Sequence, residues 1–339
     1  MAQRIKWIDV CRCFGIFAVY LGHFGENAGR VYPFLYTHHV PLFFFLSGCM
    51  APRAALPLRV HAKKTVDGLL VPWLFFALAS ALFSTVYTDS GLTGFLTLLK
   101  QIAQGTIVDH FVAGGLWFFV CLAGIRLLFA LLQKLRHPAA ILAACLALHL
   151  LEEACPIPNY YNLHRCFRFI IYYAAGYCAF PCLSRALAPE TQRGRMLLTF
   201  SGLFSLGFSA LVYFGRDPLA FLSAVPLGAS LAPILTALII IWLYLLVSKL
   251  SEHVLIFNEI GKKTLFLCGS EYFAVQLLKS VVRLFGLELA YPRPVCAWIC
   301  VAILLYLAYR FLVPMEERLL KALRRFPGWL NQSSPHLHN

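Results

Sequence analysis

Residues 4–50 read RIKWIDVCRCFGIFAVYLGHFGENAGRVYPFLYTHHVPLFFFLSGCM, and this stretch decides the fold. Its first half, Trp7 to Phe24, is almost wholly apolar apart from Asp9, Arg12 and His23. On an α-helix the steps from Arg12 to His23 return the side chain to within about 20° of its starting direction. Both residues therefore point from one face, about 16 Å apart along the axis. Asp9 precedes Arg12 by one short helical step, within reach of a salt bridge. An ionisable group inside an apolar span costs about 2.5–3.5 kcal/mol, so such groups are seldom passengers. Two readings stay open from the helix alone. Either the three residues form a functional face, or Asp9 and Arg12 snorkel to the near interface and His23 sits at the far one.

Composition supports a membrane class. Hydrophobic residues make up 60% of the 339 and charged residues only 13%, with a mean hydropathy of +0.74. Soluble domains average about 45–50% apolar and about 25% charged residues. Ten runs approach the ~20 residues of a bilayer crossing: 7–24, 33–50, 66–87, 112–132, 138–151, 166–183, 196–214, 229–248, 264–282 and 294–313. No repeat and no low-complexity stretch divides them, so 1–339 reads as one integral-membrane domain, an all-α bundle of about ten spans. The first span carries charges and lacks a small-residue cleavage site, and is read as retained.

Cations fall on alternate connections. With the amino terminus inside, Arg4, Lys6, Arg53, Lys63, Lys64, Lys134, Arg136, Arg193, Lys249 and Lys262 are cytoplasmic, as are both termini. The formal charge of +14 is thus a topology signal facing anionic lipid, and it excludes a nucleic-acid partner because the cations are dispersed and no binding motif accompanies them. The twelve cysteines show no CxxC pair and no zinc-type spacing, so neither a metal site nor a disulfide scaffold is expected. The closing Pro-His-Leu-His-Asn reads as a frayed tail.

The motifs carry a resemblance. Trp7-Ile8-Asp9, Arg12 and Gly22-His23 open the chain; His39, Pro41-Leu42-Phe43-Phe44 and Leu46-Ser47-Gly48 follow. Lys63 and Lys64 precede Leu70 and Pro72, then come Leu116-Trp117-Phe118 and Ile260-Gly261-Lys262. In this order the chain resembles the integral-membrane acyltransferase family 3, which includes fucose O-acetylase-like and polysaccharide O-acetyltransferase proteins. The resemblance implies O-acyl transfer from a cytoplasmic acyl-CoA, commonly acetyl-CoA, to a hydroxyl of a cell-surface or exported carbohydrate. No permanently bound cofactor is implied. The expected location is a cell membrane, the bacterial cytoplasmic membrane, with lipid around the bundle. Transfer is completed by this bundle or passed to a separate extracytoplasmic transferase.

The resemblance assigns roles to residues. His23 is the candidate general base, with a covalent acyl-histidine left open. Arg12, Lys63 and Lys64 are candidates for the CoA phosphates, the lysines being equally explained by the positive-inside rule. Trp117 lines the donor path or belongs to an aromatic belt. His39 approaches His23 as an acceptor-binding residue, or orients a helix end. Asp9 joins the catalytic set by orienting or neutralising Arg12, or else only marks the start of the span.

Glu271 departs from the family pattern, in which many relatives carry histidine. A carboxylate within a span needs a partner. It either hydrogen-bonds His23 and sets its tautomer, or pairs with Lys279 or Arg283. Arg126 and Arg310 receive no role. Glu152, Glu153, Asn159 and Asn162, with Tyr160 and Tyr161, form a loop whose mixture suits carbohydrate, although such loops are polar in any case. The rival class is a glycan or small-solute transporter without acyl transfer; transporters often show internal repeats or broken helices, and neither is clear in this sequence.

Overall fold

The computed structural model describes residues 4–325 except 55, 105–114, 156, 159, 287–290 and 292, with no side chains described for 323–325. Asn159, the start of the fourth expected span and the histidine-containing tail lie outside the described residues. Every regular element among the described residues is helical. In chain order they are α1 (Lys6–Gly22), α2 (Val31–Tyr36), α3 (His39–Cys49), α4 (Leu58–Thr65), α5 (Val71–Tyr87), α6 (Gly91–Gln104), α7 (Trp117–Leu132) and α8 (Pro138–Ala154). Then follow α9 (Leu163–Ala186), α10 (Gln192–Tyr213), α11 (Pro226–Leu250), α12 (Leu255–Lys262), α13 (Thr264–Leu284), α14 (Pro294–Leu307) and α15 (Val313–Arg325). Single π-turns join α4 to α5 and α14 to α15, so each pair is one continuous rod.

Among the described residues, seven helical runs are long and apolar enough to cross a membrane: Leu58–Tyr87, Trp117–Leu135, Leu163–Ala186, Gln192–Tyr213, Pro226–Leu250, Thr264–Leu284 and Pro294–Ala322. They coincide with seven of the ten expected spans. The other three are shorter. α1 and α8 each have 17 residues, about 26 Å of helix, against a hydrocarbon core of about 30 Å. The span expected over 33–50 is not one helix but two, of 6 and 11 residues. Pro41 explains the break: it has no N–H for the carbonyl of Thr37, four residues back, and its ring crowds that carbonyl. His38 accordingly leaves helical geometry at φ −145°. The amphipathic α6 had no counterpart in the sequence reading. It buries Leu98 and Ile102 against α5 and leaves Leu92 and Leu96 exposed.

Two helix crossings are set by glycine. α3 and α9 meet where a β-carbon on Gly48 would stand 1.9 Å from the Tyr173 carbonyl oxygen, and one on Gly176 would stand 2.0 Å from the Phe45 oxygen. α12 lies against α1 where a β-carbon on Gly261 would come within 1.7 Å of the Asp9 oxygen. Backbone cannot yield as a flexible side chain can, so these crossings admit no larger residue. Gly48→Ala or Gly176→Ala is therefore expected to lower the melting temperature in detergent, at a cost of about 1–3 kcal/mol. Gly68, on the π-turn between α4 and α5, has nothing within 4 Å of an added β-carbon. Gly68→Ala should leave the melting temperature unchanged or raise it slightly, and an equal loss at all three positions would refute the crossing geometry.

Candidate functional site

Arg12, Ile16, Val19 and His23 recur along α1 at helical steps of four, three and four, and all four line one cavity of about 1070 Å³. Its other walls include His39 and Phe43 of α3, Trp117, Leu122 and Arg126 of α7, Tyr173 of α9, Thr236 of α11 and Cys268 of α13. The cavity is polar at its two ends and mainly apolar between them.

At one end His23 follows the last residue of α1. Its Nδ1 lies 2.5 Å from Oε1 of Glu271 on α13, a carboxylate only 7% exposed. The pair is a consequence of helix register. One turn earlier the Tyr20 hydroxyl donates to the Leu267 carbonyl at 2.8 Å, so His23 and Glu271 are the next inward positions on two helices already pinned together. Oε2 of Glu271 rests against Gly115, 3.6 Å from where a β-carbon would stand. Among the described residues, Glu271 makes no ion pair with Lys279 or Arg283. With Nδ1–H donated to the carboxylate, His23 Nε2 is left as the acceptor.

His39 opens α3 on the same cavity wall. Its Nδ1 donates to the Leu35 carbonyl at 2.6 Å, and its ring meets Tyr36 edge-on with centroids 4.9 Å apart. Its Nε2 is likewise an acceptor. His38 points elsewhere, fully buried between Phe34 and Tyr244 at centroid distances of 4.8 and 4.9 Å.

At the other end stand three cations, Arg12, Arg126 and Lys262. Asp9 is buried behind Arg12, accepting Arg4 Nε at 2.6 Å and lying 3.5 Å from Arg12 Nη1. It does not line the cavity and sits about 21 Å along α1 from His23. Its contact is with Arg12, the cation it was expected to orient or neutralise. Lys63 and Lys64 are not brought to the cavity either. α4 turns His61 and Thr65 inward, 4% and 0% exposed, which leaves the two intervening lysines facing outward. Trp117 lines the wall, packed on Phe169 with the Arg165 guanidinium 4.7 Å from its ring centroid.

Arg126, Lys262 and Arg216 are cavity-lining cations to which the sequence reading gave no site role. Arg126 makes no salt bridge with a described carboxylate, whereas Lys262 pairs with Glu259. A lone arginine within an apolar span was itself the available signal. The residues considered for carbohydrate are mostly engaged with neighbouring helices. Glu152 accepts two bonds from Arg168 at 2.9 and 3.1 Å, Glu153 faces His149 and Ser230, Asn162 accepts from Arg165, and the Tyr161 hydroxyl donates to Ala103. Tyr160 stays 69% exposed.

A helical bundle enclosing such a cavity, with a histidine–carboxylate pair at one end and cations at the other, defines a polytopic membrane protein with the means for proton transfer to or from a bound group. The family model of the acyltransferase domain, acyltransferase family 3, matches residues 5–314, nearly the whole chain. The protein belongs to this family of membrane acyltransferases. No curated protein and no solved structure matches it.

Glu152→Ala removes the partner of the half-exposed Arg168 guanidinium and should cost about 1 kcal/mol of stability. Acyl transfer per folded molecule should hold. Reduced transfer at wild-type stability would return the loop to the acceptor site.

Proposed function

We propose that this protein is a membrane-embedded O-acyltransferase that moves an acyl group, acetyl in the simplest case, from acyl-CoA to a hydroxyl of a cell-surface or exported carbohydrate. The observation that carries the reading is one continuous cavity with the His23–Glu271 pair at one end and Arg12, Arg126 and Lys262 at the other. Membership of a membrane acyltransferase family supports the reaction class. The bias of cations among the connections supports a cytoplasmic Arg12 end and an opposite His23 end.

In this reading the CoA pyrophosphate stays with the three cations, where charge-assisted hydrogen bonds hold it. The pantetheine arm threads the apolar middle and presents its thioester beside His23. An acceptor sugar enters from the far side, oriented by a neighbouring hydroxyl that donates to His39 Nε2. His23 Nε2 takes the reacting hydroxyl's proton as the oxygen attacks the thioester carbonyl. The tetrahedral intermediate then collapses, the C–S bond breaks, and the CoA sulfur leaves with the proton returned by the imidazolium. Glu271 accepts from Nδ1–H throughout, which holds the tautomer and stabilises the imidazolium. Ile16, Val19, Phe43 and Leu122 keep water from the thioester.

The test uses reconstituted protein with radiolabelled acetyl-CoA and a panel of glycans, reading free CoA and labelled product together. His23→Ala should lower turnover at least ~100-fold with folding retained. Glu271→Gln should lower kcat with little change in either KM. CoA release unaffected by His23→Ala removes the base assignment, and substrate counterflow without CoA release would identify a transporter.

A further inference from the structure

Basic residues continue beyond the Arg126 end of the cavity. Pro52 lies on its rim, and the next residue, Arg53, lines a second cavity of about 540 Å³. The remaining lining is Gln133, Lys134, Arg136, Ile141 and Tyr177, so three of these six described residues are cations and none is acidic. The two cavities share their framework. Gln133 Nε2 donates to the Pro52 carbonyl at 2.9 Å. Tyr173 of the first cavity and Tyr177 of the second are one turn apart on α9, and Phe129 packs on both rings at 4.9 and 5.0 Å. Arg53 is held in place: it donates to the Tyr177 carbonyl, and its guanidinium carbon sits 4.2 Å from the Tyr177 ring centroid. Arg136, at φ 58°, closes the turn that carries it and Lys134 to one rim.

α7 supplies a ruler along this path. Gly115, against Glu271, stands two residues ahead of Trp117; Arg126 lies about 14 Å of helix beyond Trp117, and Gln133 about 10 Å further on. The pantetheine arm has a main chain of about thirteen bonded atoms, equivalent to about four extended residues or about 14 Å. A thioester at His23 therefore puts the pyrophosphate level with Arg12 and Arg126. The 3′-phosphorylated ribose and adenine are then carried about 10 Å beyond, to the level of Gln133 and the second cavity.

Resting on the acyl-CoA reading above, we propose that the second cavity is the subsite for the 3′-phosphoadenosine end of the donor. Arg53, Lys134 and Arg136 take the 3′-phosphate, and the base lies against the Arg53–Tyr177 stack. Arginine suits this place because its planar fork both binds phosphate and stacks on a ring. The subsite makes the protein selective for full CoA over donors without the 3′-phosphate, while leaving the chemistry at His23 untouched.

The full chain in nanodiscs of neutral lipid tests this directly, with adenosine 3′,5′-bisphosphate as the probe and ADP as the control lacking the 3′-phosphate. Wild type should prefer the bisphosphate. Arg136→Gln and Lys134→Gln, both at exposed positions, and Arg53→Gln should each weaken its binding about tenfold, as loss of a charge-assisted phosphate contact does. His23→Ala should bind it as wild type. In turnover, the three variants should raise the KM for acetyl-CoA and leave kcat, and the KM for acetyl-pantetheine, unchanged. Equal bisphosphate binding by wild type and variants overturns the proposal. So do variants whose only effect requires anionic lipid and is the same for both donors, since that marks a headgroup site. Bisphosphate binding lost in the variants, in a wild type that releases no CoA, would uphold the subsite and count against the catalytic reading alone.

Discussion

The ionisable side chains along the apolar stretch Trp7–His23 need partners, and the positions of those partners set how the rest of the bundle is arranged. His23 is answered by Glu271 at 2.5 Å, which requires α13 to lie along α1 in one register. The Tyr20–Leu267 bond fixes the same register one turn away. Arg12 is answered by Asp9, itself held by Arg4. A buried charge left without its partner costs several kcal/mol, so a slip of α13 by even one residue is disfavoured twice over, at the carboxylate and at the tyrosine hydroxyl.

Glycine contacts complete what the polar pairs begin. Gly261 lets α12 reach the backbone of α1 beside Asp9, which carries Lys262 to the same end of the cavity as Arg12. Gly48 and Gly176 bring α3 and α9 together, so that Phe43 and Tyr173 become walls of one space. The cavity is thus what remains between helices whose closest approaches are fixed elsewhere. A larger residue at any of these glycines moves a wall rather than filling a gap.

The parts legible in the sequence were those with one-dimensional signatures. Period 3.6 alone put Arg12 and His23 on one face, and the apolar runs marked where the seven long helices lie. A carboxylate far into a span announced that Glu271 needed a partner. What was illegible depended on convergence in three dimensions. Nothing local tells that Arg126 and Lys262, on helices far apart in the chain, face the same space as Arg12. A basic run before a span reads alike whichever way it turns; only burial of His61 and Thr65 shows that Lys63 and Lys64 face away. The break before His39 follows from Pro41 breaking the hydrogen-bond ladder at Thr37, a local effect masked by the apolar run around it. α6 escaped because 14 residues with one apolar stripe satisfy neither a crossing nor an obvious loop.

The distribution of polarity along the cavity bears on which molecule suits it. A hydrated solute passing through would need polar groups at close intervals to replace its water, as irregular or charged elements provide in transporters. Here the stripe between Arg12 and His23 consists of Ile16 and Val19, faced by Phe43 and Leu122, with the Ser47 and Thr236 hydroxyls also on the walls. An extended arm with a few amide dipoles tolerates such a lining, because its apolar methylenes lose contact with water and its few polar atoms need only a few partners. The same lining would oppose a free sugar, whose many hydroxyls would enter unpaired. In the proposed reaction the acceptor would be confined to the His23 end and the donor pyrophosphate to the Arg12 end, and the reacting atoms would meet only where His23 stands. On that proposal, the cavity's own chemistry would keep donor and acceptor on opposite sides of the bundle.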